Sequence, residues 1–338
     1  MEEFKKLNFF QKRKLSIAKL SEYYRRERDY NIKHNVPYKN IGLRRKIHGL
    51  FHALLKAELK VEGISYEKVR DDRVKTDKPR IYACTHIGRY DLETLSFAIG
   101  EDAYVVWGDP GAGYRNESMI FFGGQGYIAV DTDRQYKEDR HNCLEGCVRF
   151  LNQGGALWIY PEGAWNIHEN KVVGELYTGT VEMAIRTGAD IIPIALDHEG
   201  KSYKAIVGKN ISFENVSLDE KKEKTLELRD VLASLRWELI EAKGVYKRSE
   251  VESSNEFLYD ILKNTDNSYN EEAIISSRYH GKIPTPDEVM DSLSGVKVST
   301  NSACIIRDII KYRTEKQRKE QEKEMFFEEK AKELRKAK

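Results

Sequence analysis

Residues 85–95 read THIGRYDLETL, which sets His86 five places before Asp91. Imidazole titrates near neutral pH, so it can take a proton from a hydroxyl or amine and hand it on. A carboxylate on the Nδ1–H fixes the tautomer that leaves Nε2 as the base. That is the logic of a Ser-His-Asp triad in which the substrate supplies the hydroxyl. Such a pair could activate a nucleophile against an acyl carbon. A five-residue offset does not place two side chains on one helix face. The pair works if His86 follows a strand, Asp91 opens a helix, and the four residues between them fold as a turn. The plainer alternative is that Asp91 only caps the helix.

A second constellation is YPEGAWN, residues 160–166, where Glu162 and Gly163 also follow an apolar run. Glu162 could order a site loop or hold a second substrate, and glycine at 163 permits a close backbone approach or a turn. GYIAVDTDR (126–134) lies between the two constellations, and YTGTVEMAIRTGADIIPIAL (177–196) follows them. The segment HNCLEGC offers His141, Cys143 and Cys147, but the two cysteines stand four apart on a predicted helix. No further Cys or His group completes a metal site, so none is expected.

The elements that must hold these residues can be read from periodicity. RIYACT (80–85), AYVVW (103–107), GYIAV (126–130), ALWIY (156–160) and IIPIAL (191–196) read as strands. Helices are expected from Asp91, over about 138–152 up to Gly154-Gly155, and near 178–187 up to Gly188. This alternation predicts an α/β domain over 61–245 with a mostly parallel sheet flanked by helices. Ligands bind such sheets at the carboxyl ends of strands, where His86 and Glu162 both fall. Two helical extensions flank the domain. The first, 1–60, is basic and amphipathic, with one helix over 2–30 and a second over 41–59. That second helix carries the apolar stripe Ile47, Leu50, Phe51, Leu54 and Leu55 behind Arg44, Arg45 and Lys46. The second extension, 246–338, ends in densely alternating charges that suit a solvated helix or short coiled coil. Ser217 and Glu220 form a capping box.

The net charge of +2 hides an asymmetry, because residues 1–56 carry +10 and the remainder −8. A basic segment on a mildly acidic body points to an anionic surface. Its aromatics are interleaved with Leu and Ile at helical spacing, which suits lipid and argues against nucleic acid. The longest apolar runs fall far short of the ~20 residues of a spanning helix. There is no apolar stretch behind a basic N-terminus to serve as a signal peptide. Four cysteines in a chain this long read as reduced thiols. A cytoplasmic protein peripheral on the membrane is expected.

Taken in order, the four segments resemble the four blocks of the lysophospholipid and glycerolphosphate acyltransferase family. Those blocks are His-x4-Asp, a glycine and apolar strand ending in an acidic-basic pair, Phe-Pro-Glu-Gly-Thr-Arg-Ser, and an apolar strand with a central proline, here Pro193. The resemblance spans about residues 80–196. It implies a glycerolphosphate acyltransferase-like fold and transfer of an acyl group from an acyl-CoA or acyl-carrier-protein thioester. The acceptor would be a hydroxyl or amine of a lysophospholipid-like molecule. His86 would be the base, Asp91 its orienting partner, and Glu162 and Gly163 part of the acceptor side, with no cofactor beyond the donor. Three departures stand out. The usual serine of block one is Gly88. Asp131 is followed by Thr132, with Arg134 two places late. Ala164-Trp165-Asn166 replaces Thr-Arg-Ser. Since the family's two arginines are held to bind the acceptor's phosphate, a task suited to the guanidinium fork, the acceptor side is remodelled. Arg134, Arg89 in the His86–Asp91 turn, and the stacking face of Trp165 are the candidates to serve it. The alternative is a non-catalytic lipid- or partner-binding protein that kept the fold. Retention of His86, Asp91 and Glu162 together favours the enzyme.

Overall fold

Among the described residues, seven runs of extended chain pair into one sheet. The computed structural model describes residues 4–38, 41–88, 90–108, 111, 126–130, 138–163, 165–166 and 171–244. Its strands are β1 (Ser65–Asp71), β2 (Arg80–Cys84), β3 (Tyr104–Trp107), β4 (Tyr127–Ala129), β5 (Ala156–Ile159), β6 (Asp190–Glu199) and β7 (Ser202–Val207). They lie in the order β1-β7-β6-β2-β5-β3-β4. From β6 to β4 all neighbours are parallel, β7 turns back antiparallel to β6, and β1 runs parallel to β7.

Helices cover both faces of the sheet, as a largely parallel sheet requires. They are α1 (Phe9–Arg13), α2 (Ile17–Lys33), α3 (Ile41–Glu62), α4 (Asp91–Ile99), α5 (Asp139–Asn152), α6 (Gly179–Thr187) and α7 (Lys221–Glu241). Alternation along β2 divides the core. Tyr82 and Cys84 pack with Leu55 and Leu59 of α3 and Leu95 of α4. Ile81 and Ala83 pack with Phe150 of α5, Met183 of α6 and Leu232 of α7. Full burial of one such large apolar side chain contributes roughly 1.5–3 kcal/mol. Pro193 sits in β6 where its missing N–H costs no ladder bond to β7. The β6–β7 pairing begins at Ile194, and Pro193 instead accepts from the amide of Gly208 beyond the end of β7.

β2 to β6 and α4 to α6 fall within a few residues of the sequence reading. β7 and β1 do not: neither was expected, β1 because SYEKVRD is polar on both faces. It forms as an edge strand, where only one side must pair. The single helix expected over 2–30 is two, with Asn8 capping α1 and Ser16 capping α2. Ser217 and Glu220 do form the capping box, at a 3-10 turn that leads into α7.

The basic N-terminal region is packed on the body. Arg28 of α2 is buried, bonding the Ala129 carbonyl, Asp29 and Asp139. Arg44 stands 3.6 Å from Asp102 and lies over the Tyr104 ring, while Arg45 donates to the Gly154 carbonyl. The apolar stripe read on α3 is therefore divided between core and solvent. Leu55 is core at 2% exposed and Phe51 is half-buried, while Leu50 and Leu54 point outward at 63% and 43%. The Ile47 side chain lies outside the described residues, as does the whole extension 246–338. Among the described residues no helix is long and apolar enough to cross a membrane.

Candidate active site

β2 and β5 are parallel neighbours, with Ala83 opposite Ile159, so their carboxyl ends emerge side by side. Thr85 extends β2 by one position. Its amide donates to the Ile194 carbonyl at 3.1 Å, and its Oγ1 accepts from the Leu196 amide at 2.9 Å. His86 follows this fixed residue. The chain then turns, with the Asp91 amide donating to the Gly88 carbonyl at 3.3 Å, and α4 begins at Asp91. The turn folds the pair together. Asp91 Oδ2 lies 2.8 Å from His86 Nδ1 and accepts from the Ile87 amide at 2.6 Å. No side chain caps α4, and the carboxylate of Asp91 reaches back into the turn. The capping alternative is thereby set aside. An acceptor at Nδ1 makes Nδ1 the protonated nitrogen and leaves Nε2 with a free lone pair. Asp91 is 1% exposed, whereas the His86 side chain remains 19% exposed.

The backbone of His86 is gripped from both sides by the loop after β5. Its N–H donates to Glu162 Oε1 at 3.1 Å, and its carbonyl accepts from the Asn166 amide at 2.7 Å. The second oxygen of Glu162 accepts from the Gly174 amide at 2.6 Å. Glu162 is 2% exposed, and burial pushes its carboxyl above the ordinary glutamate value. The two N–H donors and the charge of Arg236 pull the other way. Gly163 is required by geometry. Its φ is +67°, and a Cβ there would lie 2.6 Å from the Tyr177 ring.

Two aromatic rings hold the imidazole. Tyr160 stacks on it at 4.0 Å and 19°, and Trp165 meets it edge-on at 5.7 Å and 71°. Trp165 is buried, so it walls the histidine rather than presenting an open face to solvent. Where the family carries serine, Gly88 faces the rim residues His198 and Tyr203. A Cβ on Gly88 would lie 3.5 Å from His198 Nε2 and 3.6 Å from Tyr203 Oη.

The structure thus brings together His86, Asp91, Glu162, Gly163 and Trp165, while Arg89, Arg134, Asp131 and Ala164 lie outside the described residues. Sequence reasoning missed Tyr160, Asn166, Gly174, His198, Tyr203 and Arg236. Asn166 registered only as a replaced serine, though its side chain donates to the carbonyls of Lys171 and Val172 and closes the loop. Cys143 and Cys147 are buried on α5. Among the described residues no group of His, Cys, Asp and Glu is arranged to hold a metal ion.

Part of the chain is similar to known proteins. Residues 66–197 match the family model described as Acyltransferase. The chloroplastic 1-acyl-sn-glycerol-3-phosphate acyltransferase LPAT1 of Arabidopsis thaliana is 23% identical over 162 residues, covering 47% of this chain and 43% of that protein. The chain thus spans less than half the length of this curated relative. Among solved structures, the 1-acyl-sn-glycerophosphate acyltransferase PlsC of Thermotoga maritima is similar with a TM-score of 0.46 and 13% identity, over 68% of this chain and 98% of that one. Residues 66–197, which hold the blocks in order on the sheet, are thus similar to the acyltransferase domain and to glycerolphosphate-type acyltransferases.

Proposed function

We propose that the protein transfers an acyl group from an acyl-CoA or acyl-carrier-protein thioester to a hydroxyl or amine of a lysophospholipid-like acceptor. The observation that carries this reading is the 2.8 Å contact between His86 Nδ1 and Asp91, which leaves Nε2 as the base on a partly exposed ring. Nε2 takes the acceptor's proton as its oxygen or nitrogen attacks the thioester carbonyl. The new ester or amide bond forms, the carbon–sulfur bond breaks, and the imidazolium returns the proton to the leaving thiolate. Asp91 offsets the transient imidazolium charge. The test is release of free CoA from acyl-CoA, coupled to formation of an acylated acceptor.

The acceptor differs from bare lysophosphatidate in this reading. Block three offers no guanidinium, Trp165 is spent on the imidazole, and Asn166 is spent on closing its own loop. Losing one charged hydrogen-bond partner costs about 1.5–3 kcal/mol, or roughly ten- to a hundred-fold in affinity. At equal concentrations, a lysolipid with a larger headgroup, an amino-acid lipid or a sugar is expected to be acylated ahead of lysophosphatidate. A clear preference for lysophosphatidate would overturn this choice of acceptor and leave the transfer reaction standing.

The acceptor is reached, we propose, from an anionic membrane surface through the outer side of α3. Leu43, Leu50, Leu54 and Val61 are exposed there at 57%, 63%, 43% and 86%, and their helical spacing aligns them in one ridge. The exposed Lys46, Lys56 and Lys60 run along one flank of the ridge. Each cation near an anionic bilayer contributes about 1 kcal/mol. The helix ends at Glu62, which accepts from Tyr90 Oη beside the His86–Asp91 turn, so the ridge leads toward the site. Vesicles rich in anionic lipid should co-sediment the protein, less so at high salt, and much less with Leu50→Glu and Leu54→Glu together. Binding indifferent to both changes would sink the docking idea.

A further inference from the structure

The grip on His86 extends beyond the segment that matches the family. We propose that Arg236, on α7, is a positioning residue for His86 that acts through the loop holding Glu162. The proposal rests on the reading of His86 as the base. Arg236 Nη1 donates to the Val172 carbonyl at 2.6 Å, and its Nη2 stands 3.5 Å from Asp197 Oδ1 at the carboxyl half of β6. Both side chains are largely buried, at 14% and 8% exposed. The Val172 carbonyl also receives Asn166 Nδ2 at 3.2 Å. Two residues further on, the Gly174 amide donates to Glu162, whose other oxygen takes the His86 amide, while the Asn166 amide takes the His86 carbonyl. One guanidinium therefore roots in the sheet the loop whose two ends hold the catalytic residue. The planar fork suits this task, because it serves a carbonyl and a carboxylate from one fixed plane. An ammonium would meet both less well.

The charge of Arg236 also reaches Glu162. Burial raises that carboxyl, and the Gly174 and His86 amides together with the charge of Arg236 hold it down. Asp197 and Lys243 complete the charged set around Arg236. Glu162 holds both N–H groups best as a carboxylate, since protonation turns one oxygen into a hydroxyl donor. Removing the positive charge raises its pKa, so the grip on His86 weakens at a higher pH than in the wild type.

The test compares the full chain with its Arg236→Met, Arg236→Lys and Lys243→Met variants. In Arg236→Met, kcat is expected to fall about ten- to a hundred-fold, the order that slight misplacement of a catalytic group produces. KM for the thioester should stay within about twofold, since the donor is not held by Arg236. The acid limb of the kcat profile should move to higher pH, and Arg236→Lys should restore part of both losses. Lys243→Met also removes a partner of Asp197, yet its acid limb should stay in place. Amide hydrogen exchange in peptides containing His86 and Gly174 should quicken in Arg236→Met and not in Lys243→Met. Unchanged exchange, or faster exchange with an unmoved acid limb, would overturn the proposal and reduce Arg236 to a structural contact. Exchange is read without substrate. An inactive wild type would therefore count against His86 as the base while the anchor was still tested.

Discussion

Replacement of His86 by alanine is expected to lower acyl transfer about 10²- to 10⁴-fold, the usual contribution of a general base, while the protein stays folded. The structure explains why the two effects separate. The grip on residue 86 uses its amide and carbonyl, which bond Glu162 and Asn166 and are unchanged in alanine. What is lost is a ring stacked on Tyr160 and edged by Trp165, and aromatic contacts of this kind are worth about 0.5–1.5 kcal/mol beyond their area. Asp91 keeps the Ile87 amide as a donor. A loss of about 1 kcal/mol shifts the melting temperature by only a few degrees in a domain of this size. The measurement is turnover by CoA release alongside a thermal melt. A variant that melts near the wild type yet keeps more than about a tenth of its turnover would remove His86 from the role of base.

Asp91→Asn should be nearly as severe. Loss of the carboxylate in a Ser-His-Asp triad costs about 10⁴ in kcat, mostly through the wrong imidazole tautomer. The sequence suggests the same cause here, but the structure shifts the weight. The oxygen that meets His86 Nδ1 also accepts from the Ile87 amide. An asparagine is thus steered to keep its carbonyl at that corner, which preserves the tautomer. Its amide nitrogen then occupies the position of Asp91 Oδ1, a buried atom without a hydrogen-bond partner. The main loss is the negative charge that supports the imidazolium. A fall in kcat of about 10²–10⁴ with little change in KM follows, since a charge felt only when His86 is protonated acts in the transition state. Steady-state kinetics on the folded variant decide the matter. A loss confined to KM would mean that Asp91 shapes substrate binding instead.

Sequence alone determined what depends on neighbours along the chain. Short apolar runs placed β2 to β6, and Gly154-Gly155 and Gly188 marked where α5 and α6 stop. His86 and Asp91 stood out because strand end, turn and helix start are all local, and a five-residue turn closes within itself. Tertiary structure decided the rest. Helical spacing on α3 shows which residues share a stripe, but not which of two apolar stripes meets a sheet. Only packing sends Leu55 and Leu59 inward and leaves Leu50 and Leu54 outside. β1 carries no hydrophobic signal of its own and becomes a strand because β7 offers it an edge. The excess of cations in residues 1–56 read as an arm for a partner, yet Arg28, Arg44 and Arg45 are used within the fold. Glu162 was legible as a candidate site residue, but its partner is a backbone amide 76 positions earlier in the chain. Arg236 reaches a carbonyl 64 positions away. A backbone N–H or carbonyl is the same in every residue that has one, so a bond to it leaves no mark in the sequence until the fold brings the two ends together.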